Sequence, residues 1–368
     1  MRLLLCGGGT AGHVNPAIAI AEEALRQDKT TKILFVGREG GKENNLIKKA
    51  GFEIKTIKIQ GLKRSLSPSN LGRVLSAIKA KKEAEKIIKD FMPDVIVGTG
   101  GYVCWPVVSA AKTMKVPRAI HESNFTPGLT TKLLSGKCDR VFLGVEDTKH
   151  YLSKKAKTLT VGNPTRETFK KVSRHEARRS FGIADKELFI LSFGGSIGSE
   201  KLNSVVLEVM EKHSAKKDEV KHLHATGERY FSEIKSEYKA GLKNGCAIVP
   251  YIDNMPVAMK AADIVICRSG AMTVSEIVEA GVASILIPSP NVSGNHQYHN
   301  AKRISDLGAA ILIEEKDLDT EGLTNKLILL ENDKNGRKNR AKKLKELFIE
   351  NSAKLIVEEL KNMINQQK

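Results

Sequence analysis

The stretch Arg2-Leu3-Leu4-Leu5-Cys6-Gly7-Gly8-Gly9-Thr10-Ala11-Gly12-His13 runs from a short apolar segment straight into a glycine-rich turn. Strand character, then G-x-G-x-x-G through Gly7, Gly9 and Gly12, then a helical pattern over Pro16–Gln27, reads as the opening of a βαβ unit. The same order recurs once. Leu188–Phe193 leads into Gly194-Gly195-Ser196-Ile197-Gly198, and a helical pattern follows over Lys201–Lys212. Two such openings in one chain predict two α/β domains.

Outward from these turns, the first half alternates strands and helices. Strands are expected at Lys32–Val36, Ile54–Ile59, Asp94–Val97, Arg118–Ile120, Arg140–Leu143 and Thr158–Val161. Helices are expected at Asn44–Ala50, Leu71–Phe91, Trp105–Met114 and Thr126–Leu134. The second half repeats the scheme, with strands at Val220–Ala225, Ala247–Val249, Ile264–Cys267, Ser284–Ile287 and Ala310–Ile313. Its helices fit Ser232–Leu242, Ala258–Ala262, Val274–Ala280 and His299–Leu307, and the tail from Gly336 to Gln367 is helical with a break near Asn351. Strands separated by helices imply parallel sheets. The expectation is two Rossmann-like domains, 1–162 and 163–340, with a hinge near Gly162-Asn163-Pro164 and a C-terminal helix, 341–368, packing back on the first domain. In open parallel sheets ligands sit beyond the carboxyl ends of the strands, so two facing sheets would enclose an interdomain cleft.

Composition narrows the function. The chain has 368 residues, 41% apolar and 28% charged, which is globular composition and excludes wholesale disorder. No apolar run reaches the roughly 18–20 residues of a membrane span, and the N-terminal run is too short for a signal peptide, so a cytoplasmic protein is expected. The five cysteines are widely spaced without Cys-x-x-Cys, which argues for buried thiols over disulfides or zinc. Net charge is +18 and uneven: residues 1–162 hold 28 Lys and Arg against 14 Asp and Glu, a net +14, while 163–368 hold 32 against 28, a net +4. A basic half implies an anionic partner. Aromatics make up 5% with one Trp, too few for single-strand nucleic-acid binding by stacking.

Several clusters carry chemistry. His13 follows the first glycine turn at a helix start, where a neutral imidazole is favoured and is able to take a proton; capping or packing is the alternative. A nicotinamide-binding reading requires an acid at the end of the second strand, but Arg38 stands at or beside that spot and Glu39 one place on. Gly98-Thr99-Gly100-Gly101-Tyr102 and His121-Glu122-Ser123-Asn124 put polar groups at the same strand ends, or serve as turns. In the second half, Arg268-Ser269-Gly270-Ala271-Met272-Thr273 forms a small-residue turn before a helix, suited to a diphosphate. Glu276 follows within two turns, placed for ribose hydroxyls or for the helix dipole. The amide-rich run Asn295-His296-Gln297-Tyr298-His299-Asn300 suits sugar hydroxyls. Asp317-Leu318-Asp319 reads as solvated capping residues, and no metal site is expected. The basic segment Gly61–Leu66 and the helix after it, with Leu71, Val74, Leu75 and Ile78 on one face, either pack on their own sheet or meet a membrane surface.

Together these segments resemble the MurG family of peptidoglycan N-acetylglucosaminyltransferases, within glycosyltransferase family 28. The resemblance lies in GGGTAGHVNP (7–16), GTGGY (98–102), HESNFTPG (121–128), GNPTR (162–166), GGSIG (194–198), RSGAMTVSE (268–276) and NHQYHNA (295–301), in family order over nearly the whole chain. It implies the two-domain GT-B fold and an inverting transfer of GlcNAc from UDP-GlcNAc to lipid I, with no cofactor or metal. It implies further that Thr10, Ala11, Gly12 and His13 line the transfer site, with His13 as candidate general base. Asn124 would meet the GlcNAc moiety, Arg166 and Ser196 the diphosphate, and Ile252 the uracil through its backbone. Ala271, Met272 and Thr273 would hold phosphate, Glu276 the ribose and Gln297 the sugar hydroxyls, while Gly100, Gly101 and Tyr102 would flank the acceptor and its diphosphate. Ile197 departs from the family's frequent Gln, and His296 stands where a second Gln is frequent. The implied partners are UDP-GlcNAc, lipid I and an anionic phospholipid surface at the cytoplasmic face of the membrane, and no nucleic acid. A GT-B enzyme with a soluble acceptor and a basic nucleic-acid-binding protein are the rival readings.

Overall fold

A computed structural model describes residues 1–41, 44–61, 69–165, 168–195, 197–237 and 245–366. The chain divides into two compact units, Met1–Thr165 with Ile349–Lys368, and Arg166–Phe348.

In the first unit the order is β1 (Arg2–Cys6), α1 (Ala11–Gln27), β2 (Lys32–Arg38), α2 (Asn44–Lys49), β3 (Ile54–Ile57), α3 (Ser69–Phe91), β4 (Val95–Gly98), α4 (Cys104–Thr113), β5 (Arg118–Glu122), α5 (Leu129–Leu134), β6 (Arg140–Leu143) and β7 (Thr158–Thr160). The seven strands are parallel, in the order β3-β2-β1-β4-β5-β6-β7. Parallel strands must bury both faces, which is why β1 is Leu3-Leu4-Leu5-Cys6 without alternation. All four side chains are fully buried, and each leucine is worth roughly 1.5–3 kcal/mol of apolar transfer.

The second unit runs α6 (Thr168–Lys171), α7 (Arg174–Ser180), β8 (Leu188–Phe193), α8 (Glu200–Lys212), β9 (Val220–Ala225), α9 (Glu228–Glu237), β10 (Cys246–Val249), α10 (Met255–Ala261), β11 (Ile264–Cys267), α11 (Ala271–Ala280), β12 (Ala283–Leu286), α12 (His296–Asp306), β13 (Ile311–Leu312), α13 (Thr320–Asn332) and α14 (Lys334–Glu346). Its six parallel strands are ordered β10-β9-β8-β11-β12-β13. The last helix, α15 (Ser352–Asn365), returns to the first unit, where Ile356, Val357, Leu360 and Met363 join the core formed by β1 and α1. The break between α14 and α15 falls where expected, at Asn351, whose φ is +60°.

The expectations for the C-terminal tail and for the start of α1 need correction. Residues 341–348 belong to the second unit, not to a terminal segment that begins at 341, because Leu344 is fully buried in that unit's core. α1 begins at Ala11, five residues before Pro16, so the proline lies inside the helix. On α3 the buried face is Ala80, Ala84, Ile87 and Ile88, whereas Leu75 and Ile78 are exposed; the Leu71 and Val74 side chains and residues 62–68 lie outside the described residues. All five cysteines are free and buried, as the sequence predicts. Asp319 caps α13 by accepting from Gly322 N at 2.7 Å.

Candidate active site

In each sheet the strand order reverses once, between β1 and β4 and between β8 and β11. Loops that leave the carboxyl ends of such a pair part to opposite faces and open a crevice. The register levels the ends. Cys6 pairs with Gly98, so Gly7 and Thr99 emerge side by side, and Phe193 pairs with Cys267, so Gly194 and Arg268 do the same.

At the first crevice the two loops are bonded to each other. Thr99 N donates to Cys6 O at 2.8 Å, Gly8 N donates to Gly100 O at 3.3 Å, and Thr99 Oγ1 donates to His13 O at 2.6 Å. Gly100 and Gly101 both have positive φ, +117° and +81°. A methyl on Gly100 would overlap the His13 ring, and one on Gly101 would overlap the Gly8 carbonyl oxygen, so both positions require glycine. His13 lies in the first turn of α1, half-buried, with Nδ1 2.9 Å from Gly8 O and 3.3 Å from Thr10 Oγ1. A carbonyl only accepts, so Nδ1 carries the hydrogen of the neutral ring and the lone pair sits on Nε2. The imidazole is thus held by the loop pair with its basic nitrogen unspent on that bond. Thr10 is the exposed N-cap of α1 and Ala11 and Gly12 open the helix; Tyr102 is half-buried beside Gly9 and Gly61.

Asn124 follows β5 in a loop organised by the buried Glu122. Its carboxylate accepts from Asn124 N and Nδ2, both at 3.0 Å, and from Gly128 N at 3.0 Å. Thr148 Oγ1 donates to the Asn124 and Phe125 carbonyls, and Asn163 Nδ2 donates to Ser123 O. His121 is fully buried with Nε2 3.1 Å from Gly162 O, and burial holds its pKa below the ordinary value. It supports the fold and is not presented at the strand end.

At the second crevice, Ala271, Met272 and Thr273 form the first turn of α11, not a turn ahead of a helix starting at Val274. The N-cap is Gly270, with no side-chain cap and no acid in the first turn. α1 likewise begins with neither, whereas Ser173, Asp319 and Asp333 cap α7, α13 and α14. Bare helix N-termini present N–H groups and a partial positive charge to an anion. Glu276 is half-buried in the second turn of α11, and its charge, after burial, pushes the Cys267 thiol up. Gln297 Oε1 accepts from Ser289 N at 2.9 Å and its carbonyl accepts from Ser269 Oγ at 2.9 Å, so this residue ties the β12 loop to the β11 loop. The Ile252 side chain is buried in the core after β10, leaving main chain as what that position can offer a ligand. Arg166 and Ser196 lie outside the described residues. Ile197 is 69% exposed on the glycine loop, and His296 Nδ1 donates to Ser293 O at 2.8 Å.

Arg268 is quoted in the sequence motif with no role assigned. Its buried guanidinium donates to Ser199 Oγ, to the carbonyls of Ile287 and Pro288 at 3.2 and 3.1 Å, and to the Glu315 carboxylate. One side chain thereby latches the loops after β8, β11, β12 and β13. In the first unit Glu122 orders the loop after its own strand, through Asn124 and Gly128. A long polar side chain at a strand end inside a glycine-rich motif is the signal that marks both. Among the described residues no group of three or more His, Cys, Asp or Glu is placed to hold a metal ion, and no helix is long and apolar enough to cross a membrane.

Two open parallel sheets, each with a glycine turn and a bare helix N-terminus at its switch point, define a nucleotide-binding α/β protein built in duplicate. Residues 3–143 match the glycosyltransferase family 28 N-terminal domain, and residues 189–360 match the family 28 C-terminal domain. A protein of Acetivibrio thermocellus is 42% identical over 365 residues, 99% of this chain and 98% of the relative. One of Caldanaerobacter subterraneus is 45% identical over 330 residues, 89% and 90% of the two chains. Both are named UDP-N-acetylglucosamine–N-acetylmuramyl-(pentapeptide) pyrophosphoryl-undecaprenol N-acetylglucosamine transferase. The crystal structure of Acinetobacter baumannii MurG superposes with a TM-score of 0.77 at 28% identity, over 98% of this chain and 99% of that one. The chain belongs to glycosyltransferase family 28, and its two α/β units are those of the GT-B fold.

Proposed function

We propose that this enzyme transfers N-acetylglucosamine from UDP-GlcNAc to the C4 hydroxyl of the MurNAc unit in undecaprenyl-pyrophosphoryl-MurNAc-pentapeptide (lipid I), forming lipid II. The observation that carries the reading is 42% and 45% identity, over 99% and 89% of this chain, to transferases whose names state that donor and acceptor class. Geometry and family resemblance together support the following roles.

His13 is the general base. With Nδ1–H given to Gly8 O, Nε2 takes the proton from the acceptor hydroxyl as its oxygen bonds to the anomeric carbon. The bond from that carbon to the UDP phosphate oxygen breaks as the new one forms, which inverts the centre. Charge then develops on the diphosphate. The amides of Ala271, Met272 and Thr273 at the bare start of α11 are aimed to meet it, with Arg166 and Ser196 assigned the same diphosphate on family resemblance. Glu276 accepts from the ribose hydroxyls, the Ile252 main chain meets uracil, Gln297 and Asn124 meet the sugar, and Thr10, Ala11 and Gly12 close around it. Gly100, Gly101 and Tyr102 face the acceptor. No metal takes part, so turnover persists in EDTA. The protein works as a peripheral protein at the cytoplasmic face of the membrane. The basic first half, with exposed Leu75 and Ile78 on a lysine-bearing helix, meets anionic lipid head groups, and vesicle binding therefore weakens with salt.

The test is radiolabelled GlcNAc transfer to a lipid I analogue beside soluble sugar acceptors, for wild type, His13→Ala and Glu276→Ala. Product on the lipid I analogue alone is expected. His13→Ala should lower kcat by about 100-fold or more with UDP binding kept, and Glu276→Ala should raise the donor KM. Transfer to soluble sugars and none to lipid I would overturn the acceptor assignment.

A further inference from the structure

The second unit holds a chain of polar side chains sealed in its core, apart from every residue given a role above. Ser214, His222, Ser192, His224 and Asn203 are each at most 1% exposed. Ser214 Oγ lies 3.1 Å from His222 Nδ1, and His222 Nε2 lies 2.9 Å from Ser192 Oγ. Ser192 Oγ lies 2.9 Å from His224 Nδ1, and His224 Nε2 lies 3.2 Å from Asn203 Oδ1. Asn203 Nδ2 then donates to the Thr226 carbonyl at 2.9 Å. Apolar residues fill such a site without the desolvation cost of five polar side chains, so packing alone does not account for them.

The last bond sets the direction of all the others. Thr226 O only accepts, so Asn203 turns its NH2 to Thr226 and its Oδ1 to His224. His224 therefore carries its hydrogen on Nε2 and accepts at Nδ1 from the Ser192 hydroxyl. Ser192, having given its one proton, accepts from His222 Nε2–H, and His222 Nδ1 accepts from Ser214. Each proton has a single place, and burial keeps both rings neutral by lowering their pKa, that of His224 to about 4. Thr226, in turn, bears on the glycine loop after β8. A methyl on Gly198 (φ +82°) would overlap the Thr226 carbonyl oxygen, and one on Gly227 (φ +86°) would come 2.5 Å from Gly198 N and 2.6 Å from Ile197 O.

We propose that Ser192, His224 and Asn203 are positioning residues for the donor. Their one-directional hydrogen-bond chain fixes the Thr226 carbonyl, and through it Gly198, in the glycine turn proposed to meet the nucleotide diphosphate. The inference rests on the donor site proposed above. It is tested on the full chain with Ser192→Ala, which removes the bridging hydroxyl at nearly constant volume, and with His224→Leu and His224→Gln.

UDP binding is measured by calorimetry, steady-state kinetics vary UDP-GlcNAc and the lipid I analogue separately, and nitrogen NMR reads the histidine tautomers. Ser192→Ala and His224→Leu should weaken UDP binding and raise the donor KM by about tenfold, with the acceptor KM unchanged. His224→Gln, whose amide nitrogen is able to donate to Asn203, should recover most of the loss. A purely structural role would lower the melting temperature and the active fraction and leave the donor KM unmoved. Folded Ser192→Ala that binds UDP as wild type does would overturn the proposal, whether or not His224→Leu folds. So would wild-type spectra with the hydrogen on Nδ1 of either ring, which need no variant. Wild type that binds no UDP defeats the donor-site reading itself, whereas normal wild-type binding with unchanged variants defeats only this inference.

Discussion

Gly101→Ala separates loop geometry from backbone cost at the acceptor side. Gly101 has φ +81°, where an L side chain costs roughly 1–2 kcal/mol. The added methyl would overlap the Gly8 carbonyl oxygen, lie 3.0 Å from the Gly8 carbonyl carbon and 3.2 Å from His13 Nδ1. Relieving an overlap with backbone adds about 1–3 kcal/mol, which gives about 2–5 kcal/mol in all, against the 5–15 kcal/mol typical of a whole domain. The fold should therefore survive in weakened form. The displaced atom, however, is the acceptor that orients His13, the proposed base. A shift of about 1 Å there is enough for a 100-fold loss in rate. Gly40→Ala is the control: φ is +67° with nothing within 4 Å, so it incurs the backbone cost and moves no neighbour. In the transfer assay Gly101→Ala should lose about 100-fold in kcat, with UDP binding unchanged because the residues proposed for uracil, ribose and diphosphate belong to the other unit. Gly40→Ala should keep wild-type turnover. Gly101→Ala within threefold of wild type, or an equal loss in Gly40→Ala, would refute the argument.

Other outcomes follow from single contacts. Because burial depresses the pKa of His222 and His224, the unfolded chain binds more protons than the folded one below the ordinary value of 6.5. Their stabilisation is whole above pH 6.5 and is lost as pH falls toward 4, about 3 kcal/mol for His224 alone, so urea midpoints of the second unit should fall across that window. Arg268→Met should cost about 2–4 kcal/mol in urea unfolding and weaken UDP binding, since four loops lose their shared donor. Leu360→Ala, fully buried in α15, should cost about 2–5 kcal/mol and lower the melting temperature of the first unit, with the donor KM unchanged.

Much of the framework was legible in the chain, and the errors are instructive. β1, β8 and β11 begin and end where expected, because apolar runs stop abruptly at polar or glycine-rich turns. α8, which has Ser199 as a cap, starts within one residue of its expected place. α1 and α11 start five and three residues earlier than expected. Both lack side-chain caps, as do α10 and α12, which also start three residues early, so the local signal of a helix start is missing at each. The local motifs named the loops that carry His13, Asn124 and Glu276. Local sequence did not give the partners of Arg268 or of the histidine chain, which lie on other elements, whereas Glu122 meets Asn124 and Gly128 of its own loop. His222 and His224, two residues apart on one face of β9 beside Ser192 on β8, were the visible trace of that chain.

The return of α15 to the first unit bears on vectorial synthesis. The ribosome delivers β1 and α1 before the second unit, yet Ile356, Val357, Leu360 and Met363 complete their core only after that entire intervening unit has emerged. The unit begun before the other is therefore finished after it. Excising it as an N-terminal fragment leaves an apolar gap, and an independently stable version requires grafting the final helix onto Thr165 through a short linker.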